Sequence, residues 1–221
     1  MVVSSRIKTI GDFIKPGEVV VDVGADHGLL ELYLLAKSPD IQITAVENKI
    51  GPYKILETSL LGLKNVKLSL SDGITAVSKD TTTVVIAGMG GINIKNILDA
   101  YPDKVRDLKK IVIDAHRDIQ IARKTIVDYG FAISKEKIVY EQEKFYVVSE
   151  FLKVNEPQKY SDEILEFGYQ LYDDELWPKY KEHLILENNK TIEKIKDIAS
   201  MQDKVLSLKK INERLTNYGK N

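Results

Sequence analysis

The chain has 221 residues, of which 43% are hydrophobic and 29% charged, and its formal net charge is −1. This length allows one substantial core and a smaller appendage. The balanced charge means that any nucleic-acid site must be a local patch. No cysteine is present, which excludes disulfides, zinc–thiolate sites, iron–sulfur clusters and cysteine nucleophiles. Because the first residues lack the apolar core of a signal peptide and no segment is long enough to span a membrane, we expect a cytoplasmic protein with no membrane and no metal among its partners.

Short β-branched runs alternate with helical stretches through the first two-thirds of the chain. The predicted strands cover residues 19–23, 43–47, 66–70, 83–87 and 111–113. The predicted helices cover residues 29–37, 53–63 and 119–129. The first strand is a continuous apolar run, as expected for a strand buried on both faces, and strand–helix units of this kind form a parallel sheet.

The rhythm changes after residue 130. Two extended segments, 131–140 and 144–154, are separated by only three residues, which is too few for a parallel crossover, so they must form an antiparallel hairpin. We therefore expect an α/β fold with a doubly wound, Rossmann-like sheet and a reversed edge. This terminal hairpin is typical of the methyltransferase variant of that architecture.

The composition becomes helical after Pro157. Apolar residues recur at steps of three or four, which predicts one long amphipathic helix, along Ile192, Ile195, Ile198, Met201, Val205, Leu208, Ile211 and Leu215. This stripe packs either on its own domain or on a neighbouring helix, and Leu176, Tyr180 and Leu184 are candidates for that neighbour in an antiparallel helical hairpin. A dimerising coiled coil is the alternative. The predicted division is a catalytic domain at 1–154 and a helical, coiled-coil domain at 155–221.

The loop after the first strand carries two acids and two glycines. It runs from Asp22 to Gly28 and lies in the crevice where open α/β sheets bind ligands. Gly24 and Gly28 let the backbone approach a ligand closely. Asp26 stands where a dinucleotide fingerprint has its second glycine, and its carboxylate would repel a pyrophosphate. Asp22 and Asp26 suit a cationic amino-acid end such as that of S-adenosylmethionine, unless one of them merely caps the following helix.

Acids also follow the second and third strands. Glu47 lies where this fold places an acceptor for ribose hydroxyls. Asp72 is suited to accept a hydrogen bond from an adenine amino group, with Gly73 making room, although Asp-Gly is also an ordinary turn. Each signal is weak alone. Three acids, each directly after its own strand, indicate S-adenosylmethionine as the cofactor.

The loop after the fourth strand reads Ala87-Gly88-Met89-Gly90-Gly91. Enzymes that methylate exocyclic amines typically carry Asn/Asp-Pro-Pro-aromatic at this place, and this chain has neither proline nor aromatic residue there. The three glycines instead suggest a flat surface that a planar base can approach. A tight strand-to-helix turn with Met89 in the core is the alternative.

Five sequence runs resemble the bacterial tRNA (adenine-22-N1)-methyltransferases over nearly the whole chain. They are 22–27 (DVGADH), 46–52 (VENKIGP), Asp72-Gly73, 86–91 (IAGMGG) and 160–168 (YSDEILEFG). The resemblance implies methyl transfer to N1 of adenine 22 in the D-arm of tRNA, and a C-terminal helical coiled coil. The chain departs from the usual Asp-His-Ala-Tyr-Leu-Pro at 26–31 (DHGLLE). It departs again from the usual Gln-Pro-Asn after the fifth strand, at 114–116 (DAH).

These observations assign roles to particular residues. Those expected to act in catalysis are Asp26, His27 and Met89. Those expected to bind the cofactor are Asp22, Gly24, Asp26, His27, Glu47, Asn48, Asp72, Gly73, Ala87 and Gly88. Neutral adenine N1 has a lone pair, so no base is needed before attack; carboxylates such as Asp26 stabilise the cationic product, and His27 orients the base or accepts a proton.

The expected partner is tRNA, bound by the helical domain at 155–221, and the expected state is a monomer. Candidate phosphate contacts in the catalytic domain are Arg6, Lys8, Arg117, Arg123 and Lys124. Three alternatives stay open: a methyltransferase for a small molecule or protein, a nucleotide-dependent oxidoreductase, and a catalytically silent RNA-binding protein. Cofactor binding and dependence on RNA separate them.

Overall fold

A computed structural model describes residues 3–219. The chain divides into two compact units, the first ending at Lys159 and the second beginning at Tyr160. The first unit is an α/β domain, and the second is helical.

A seven-stranded sheet organises the first unit, in the order β3-β2-β1-β4-β5-β7-β6. Strands β1 to β5 run parallel, and β7 is antiparallel to both of its neighbours. This confirms the doubly wound sheet with a reversed edge. The strand bounds are β1 Val19–Val23, β2 Gln42–Glu47, β3 Val66–Leu70, β4 Thr83–Met89, β5 Lys110–Ala115, β6 Phe131–Glu141 and β7 Lys144–Lys153.

Helices cover both faces of this sheet. Their bounds are α1 Ser5–Asp12, α2 Leu29–Lys37, α3 Ile50–Ser59, α4 Gly91–Asp99, α5 Pro102–Asp107 and α6 Ile119–Asp128, with a 3₁₀ turn at Gly73–Ala76. The central strands carry apolar side chains to both faces: Val85 and Val112 are fully buried on one face, and Val84 and Ile111 on the other. Helix α3 begins and ends several residues earlier than the predicted 53–63, and α1, α4 and α5 were not predicted.

The helical unit contains α7 Asp162–Phe167, α8 Trp177–Ile195 and α9 Gln202–Asn217. The prediction of one long helix through Ile192 to Leu215 is wrong, because Ile198 is extended and a 3₁₀ turn follows it. Helices α8 and α9 instead pack on each other in opposite directions. Asn188 Nδ2 donates to Asn212 Oδ1 at 2.8 Å, and an apolar cluster lies farther along, formed by Ile192, Val205 and Leu208.

The run from Tyr160 to Gly168 closes this unit around an aromatic cluster. Ser161 caps α7 by accepting from the Ile164 N–H. The hydroxyl of Tyr218 donates to the Gly168 carbonyl. Tyr218 also packs by edge contacts with three aromatic rings, those of Phe167, Tyr172 and Trp177. The motif therefore has a folding role that connects the start and the end of the helical unit.

Candidate active site

Two clefts open at the carboxyl ends of β1, β2 and β4 in the first unit. The first has a volume of about 560 Å³ and the second about 460 Å³. Gly24, Glu47 and Met89 line both of them. The clefts therefore meet at the position where the sheet reverses its strand order, which is the usual ligand site of this architecture.

All of the residues selected from the sequence line these two clefts. Those that line only the first cleft are Asp22, Asp26, His27, Ala87 and Gly88. Those that line only the second are Asn48, Asp72 and Gly73. Asn48 and Asp72 lie at the ends of neighbouring strands, with Asn48 Nδ2 at 3.5 Å from Asp72 Oδ1. The roles given to these residues remain predictions; their convergence is a property of the fold.

Backbone hydrogen bonds hold the first loop against the end of β2. The N–H groups of Gly24 and Ala25 both donate to the Val46 carbonyl, at 2.9 and 3.2 Å. Glu47 Oε1 accepts from the Asp26 N–H at 2.7 Å. Helix α2 has Gly28 at its N-cap and no side-chain cap, so the alternative that Asp22 or Asp26 caps this helix is wrong.

Gly24 is required where the two clefts meet. Its φ is +80°, a conformation that favours glycine. A Cβ at this position would lie 2.6 Å from Met89 Cε. Met89 itself is partly exposed and lines both clefts, so the alternative that places it in the core is wrong.

A buried acid pair lies beside the first cleft. Asp22 is 5% exposed and Glu31 is fully buried. Burial, together with the charge of Glu47, raises the pKa of Asp22 to about 7, against the opposing effect of a hydrogen bond with Glu31. Burial and the neighbouring Asp22 also raise the pKa of Glu31. Neither Glu31 oxygen has another hydrogen-bond partner within residues 3–219. Because the pKa of both carboxyls is raised, the pair favours holding a proton between them.

The glycines after β4 differ in purpose. Gly88 forms a bulge, since Ala87 pairs with Asp114 and Met89 with Ala115. A Cβ on Gly91 would lie 2.0 Å from the Asp118 carbonyl oxygen. Gly91 therefore allows close packing between the loops after β4 and β5, whereas Gly88 belongs to the wall of the first cleft.

The wall of the first cleft also contains a cluster of polar side chains that the sequence did not reveal as a cluster. Arg6 Nη1 lies 2.7 Å from Asp114 Oδ2 and 3.1 Å from His116 Nε2. The Arg6 guanidinium also lies 5.2 Å from the ring centre of Tyr146. We call Arg6, Asp114, His116 and Tyr146 the Arg6 cluster. The available signals were the unusual Asp-Ala-His run after the fifth strand and the arginine of the first helix.

The residues predicted to contact phosphates differ in their exposure. Arg123 is 1% exposed, and its Nε donates to Glu136 Oε1 at 2.8 Å, so its assignment to phosphates is wrong. Arg6 is engaged in the Arg6 cluster. Lys8, Arg117 and Lys124 remain exposed, the last of them beside Asp128.

Within residues 3–219, none of the helices has both the length and the apolar character needed to cross a membrane. The same part of the chain contains no group of three or more histidine, aspartate or glutamate residues placed to hold a metal ion.

A Rossmann-like sheet with a terminal hairpin, and a paired cleft at its switch point, define the class of protein. Residues 3–149 match the methyltransferase domain family, and the chain belongs to that family. Among individual proteins, the chain is similar to the tRNA (adenine(22)-N(1))-methyltransferase of Bacillus subtilis strain 168, with 28% identity over 150 residues. This alignment covers 66% of the chain and 63% of that relative, which is less than two-thirds of its length.

Solved structures extend the likeness over nearly the whole chain. A Streptococcus pneumoniae protein, solved in complex with S-adenosyl-L-methionine, is 25% identical with a TM-score of 0.83, covering 96% of this chain and 100% of that one. An uncharacterized protein from Listeria monocytogenes serotype 4b is 21% identical with a TM-score of 0.90, covering 98% and 99%. The second likeness concerns the fold alone.

Proposed function

We propose that this protein transfers a methyl group from S-adenosylmethionine to N1 of adenine 22 in tRNA. The observation that carries the proposal is the meeting of the two clefts at Gly24, Glu47 and Met89. One cleft has the acids suited to an adenosine, and the other has those suited to a cationic amino acid. The similarity to the Bacillus subtilis enzyme supports the choice of substrate.

The residues present fit this cofactor better than a dinucleotide. Gly24 and Gly73 both have positive φ, and a Cβ on either would press against Met89 or Ile97. Met89 and Ile97 both line the second cleft, so Gly24 and Gly73 allow these two side chains to form its wall. Carboxylates line the two clefts: Asp22 and Asp26 line the first, Asp72 lines the second, and Glu47 lines both. A pyrophosphate would be repelled by them, whereas an ammonium, a sulfonium and hydroxyl donors would be favoured.

Three acids would hold the cofactor. Asp22 would face the ammonium group from the first cleft. Glu47 would accept from ribose hydroxyls through Oε2, since its other oxygen already accepts from Asp26 N–H. Asp72, held next to Asn48, would accept from the adenine amino group. Ala87 and Gly88 would offer backbone groups at the boundary with the target base.

When bound, the cofactor supplies an electrophilic methyl group on a sulfonium. The protein's own task is then placement, which contributes roughly 7–11 kcal/mol in well-oriented reactions. Met89 and Gly88 form the floor on which the base lies. Asp26 and His27 stand at the exposed mouth, with His27 Nε2 at 3.6 Å from Asp26 Oδ1. Asp26 would stabilise the positive charge of the methylated base, and His27 would accept a proton from its amino group.

Adenine 22 must leave its stack to reach this position, at a cost of a few kcal/mol. We propose that the helical region at 155–221 supplies part of the grip on tRNA that offsets this cost. With tRNA as its substrate, the protein would act in the cytoplasm, as a monomer.

The test is methyl transfer from radiolabelled S-adenosylmethionine into unmodified tRNA, with the modified position mapped and the nucleoside identified by mass spectrometry. N1-methyladenosine at position 22 is the expected product. A primary product of N6-methyladenosine, or equal activity on a tRNA with guanine at position 22, contradicts the proposal. Activity on small molecules or proteins without RNA favours the first rival.

A further inference from the structure

The Arg6 cluster is held firmly at the edge of the first cleft. Ser4 caps α1 by accepting from the Ile7 N–H at 3.2 Å. The carboxylate of Glu141, at the end of β6, accepts from the N–H groups of Ser5 and Arg6 at 3.1 and 3.3 Å. These contacts satisfy the free donors of the first helical turn. They also fix Arg6 against the sheet.

The charge of Arg6 is compensated inside the protein. Its partner Asp114 is fully buried, while 25% of the Arg6 side chain remains exposed. A guanidinium has five N–H donors, and Nη1 makes the hydrogen bonds of this side chain within residues 3–219. Nε and Nη2 thus remain available on a residue that lines the cleft. A guanidinium that is paired with a buried carboxylate and fixed in place is better suited to a directed hydrogen bond than to long-range attraction.

The cluster lies next to the floor of the proposed base site. A Cβ on Gly88 would lie 3.8 Å from Arg6 Nη1 and 4.0 Å from His116 Cε1. Gly88 directly precedes Met89, where the two clefts meet. Tyr146 contacts both His116 and Arg6 and completes the wall.

We propose that the Arg6 cluster receives the target base, and that Arg6 donates a hydrogen bond to a ring nitrogen of adenine, N3 or N7, instead of contacting a phosphate. This inference rests on the proposed function. N1 must keep its lone pair for attack on the methyl group, so N3 and N7 are the acceptors that the adenine ring has left. Arg117, 80% of whose side chain is exposed, is the better phosphate ligand on this face.

The first experiment uses the unaltered protein and synthetic tRNA that carries 7-deazaadenosine or 3-deazaadenosine at position 22. One analogue should lower kcat/KM about tenfold or more, because a charge-assisted hydrogen bond is lost. Arg6→Met should show the same loss with ordinary tRNA and little further loss with that analogue, as a double-mutant cycle requires of two contacting groups. The inference is overturned if the two analogues lower kcat/KM by the same factor, and if that factor is the same in the unaltered protein and in Arg6→Met.

The second experiment measures how tRNA KM depends on salt. Arg6→Lys keeps the charge but loses the planar fork, so it should lower kcat/KM while the salt slope stays unchanged. Removing a phosphate contact instead reduces the slope by about one. If Arg6→Met reduces the slope in this way, Arg6 contacts a phosphate and the inference is wrong. Arg106→Ala is the matched control: this side chain on α5 is 61% exposed and paired with Asp103, and its loss should change neither quantity.

Different results would contradict the proposed function and the role of Arg6. If the unaltered protein does not methylate adenine 22 of unmodified tRNA, the proposed function is wrong and this inference falls with it. If it does so while neither analogue nor Arg6 variant changes kcat/KM, only the inference is wrong. Arg6→Lys should leave the affinity for S-adenosylmethionine, measured by calorimetry, unchanged.

Discussion

The carboxyls of Asp22 and Glu31 share an environment that favours protons over ionisation. Both are buried, and Glu47 adds a third negative charge nearby. A protonated Glu31 can donate to Asp22 and keep that carboxylate oriented toward the first cleft. The same proximity makes the folded protein sensitive to the removal of the shared proton.

Glu31→Gln should make stability less dependent on pH. An acid whose folded pKa is raised stabilises the protein at low pH, and that stability is lost as pH rises from the unfolded pKa, near 4, toward the folded pKa, about 7 for Asp22. Glutamine keeps the hydrogen-bond donor without the charge. Relative to the unaltered protein, the variant should gain stability at pH 8, at roughly 1.4 kcal/mol for each unit by which the raised pKa values are relieved, and should change little at pH 4.

Thermal unfolding between pH 4 and pH 8 measures this difference. Glu57→Gln makes the same chemical change at an exposed position of α3 and should leave the profile unchanged. Parallel pH profiles for the Glu31 variant and the unaltered protein would show that no proton is shared at this site.

Glu47→Ala should weaken binding of S-adenosylmethionine by about 1–3 kcal/mol, because it removes an acceptor in a site that is 8% exposed. The variant also removes the partner of the Asp26 N–H. Calorimetry with the cofactor and with NAD checks both the magnitude and the selectivity. Tighter binding of NAD by the unaltered protein would contradict the cofactor assignment.

The acids at strand ends were predictable because topology alone brings the carboxyl ends of parallel strands together. To predict the positions of Glu47 and Asp72, it was enough to identify where the preceding strands end. Glu31 was harder, since nothing local says that a glutamate in a leucine-rich helix will face Asp22. The Arg6 cluster joins residues more than 100 positions apart, and side-chain packing of that range has no local signal.

At the scale of elements, periodicity identified the strands because each is short, β-branched and bounded by a turn. It failed between α8 and α9 for a physical reason. Ile195, Ile198 and Met201 are spaced by three, which also suits a 3₁₀ turn. The apolar stripe therefore continues across the break, although Ile198 and Met201 are 46% and 42% exposed.

Gly91→Ala should destabilise the first unit by about 1–3 kcal/mol or more, since the new methyl group would press on the Asp118 carbonyl. The Gly91 N–H also donates to the Arg117 carbonyl at 2.8 Å, so the two loops cannot separate without losing that bond. Denaturant unfolding measures the loss.

Gly51→Ala is the matched comparison. It lies in α3 with no heavy atom within 4 Å of the added Cβ. Alanine should therefore change the stability by less than about 1 kcal/mol, because its better helix propensity is opposed by crowding between the new methyl group and the following Pro52. If both substitutions had the same effect, the contact at Asp118 would not limit the choice of residue.

At the scale of the whole molecule, the sheet and the helical unit divide the proposed tasks. Both clefts are lined by residues before position 147. A truncated protein ending at Lys159 should keep its affinity for S-adenosylmethionine and lose most of its affinity for tRNA and its turnover. Circular dichroism must first show that it is folded. Phosphate contacts from lysines of α8 and α9 should make the tRNA affinity of the full chain fall steeply with salt.

Unchanged methylation by the folded truncation would remove the RNA-docking role from the helical unit. A lower oligomeric state of the truncation, seen by light scattering, would then point to assembly as its purpose. Acids and bases nearly cancel in this segment, so only their arrangement on the helices can attract RNA. The sequence predicted the helical character of the unit, but not which face carries its charges.

The hydrogen bonds from Ser5 and Arg6 to Glu141 also affect the order in which the chain can fold during translation. Ser5 and its partner are 136 positions apart. At about 5–20 residues per second, roughly 7–27 seconds of translation separate their synthesis. The N-terminal helix therefore leaves the ribosome long before its anchor exists. The wall of the first cleft is assembled only when the final hairpin emerges, so the site proposed for the target base stays incomplete until the sheet is nearly finished.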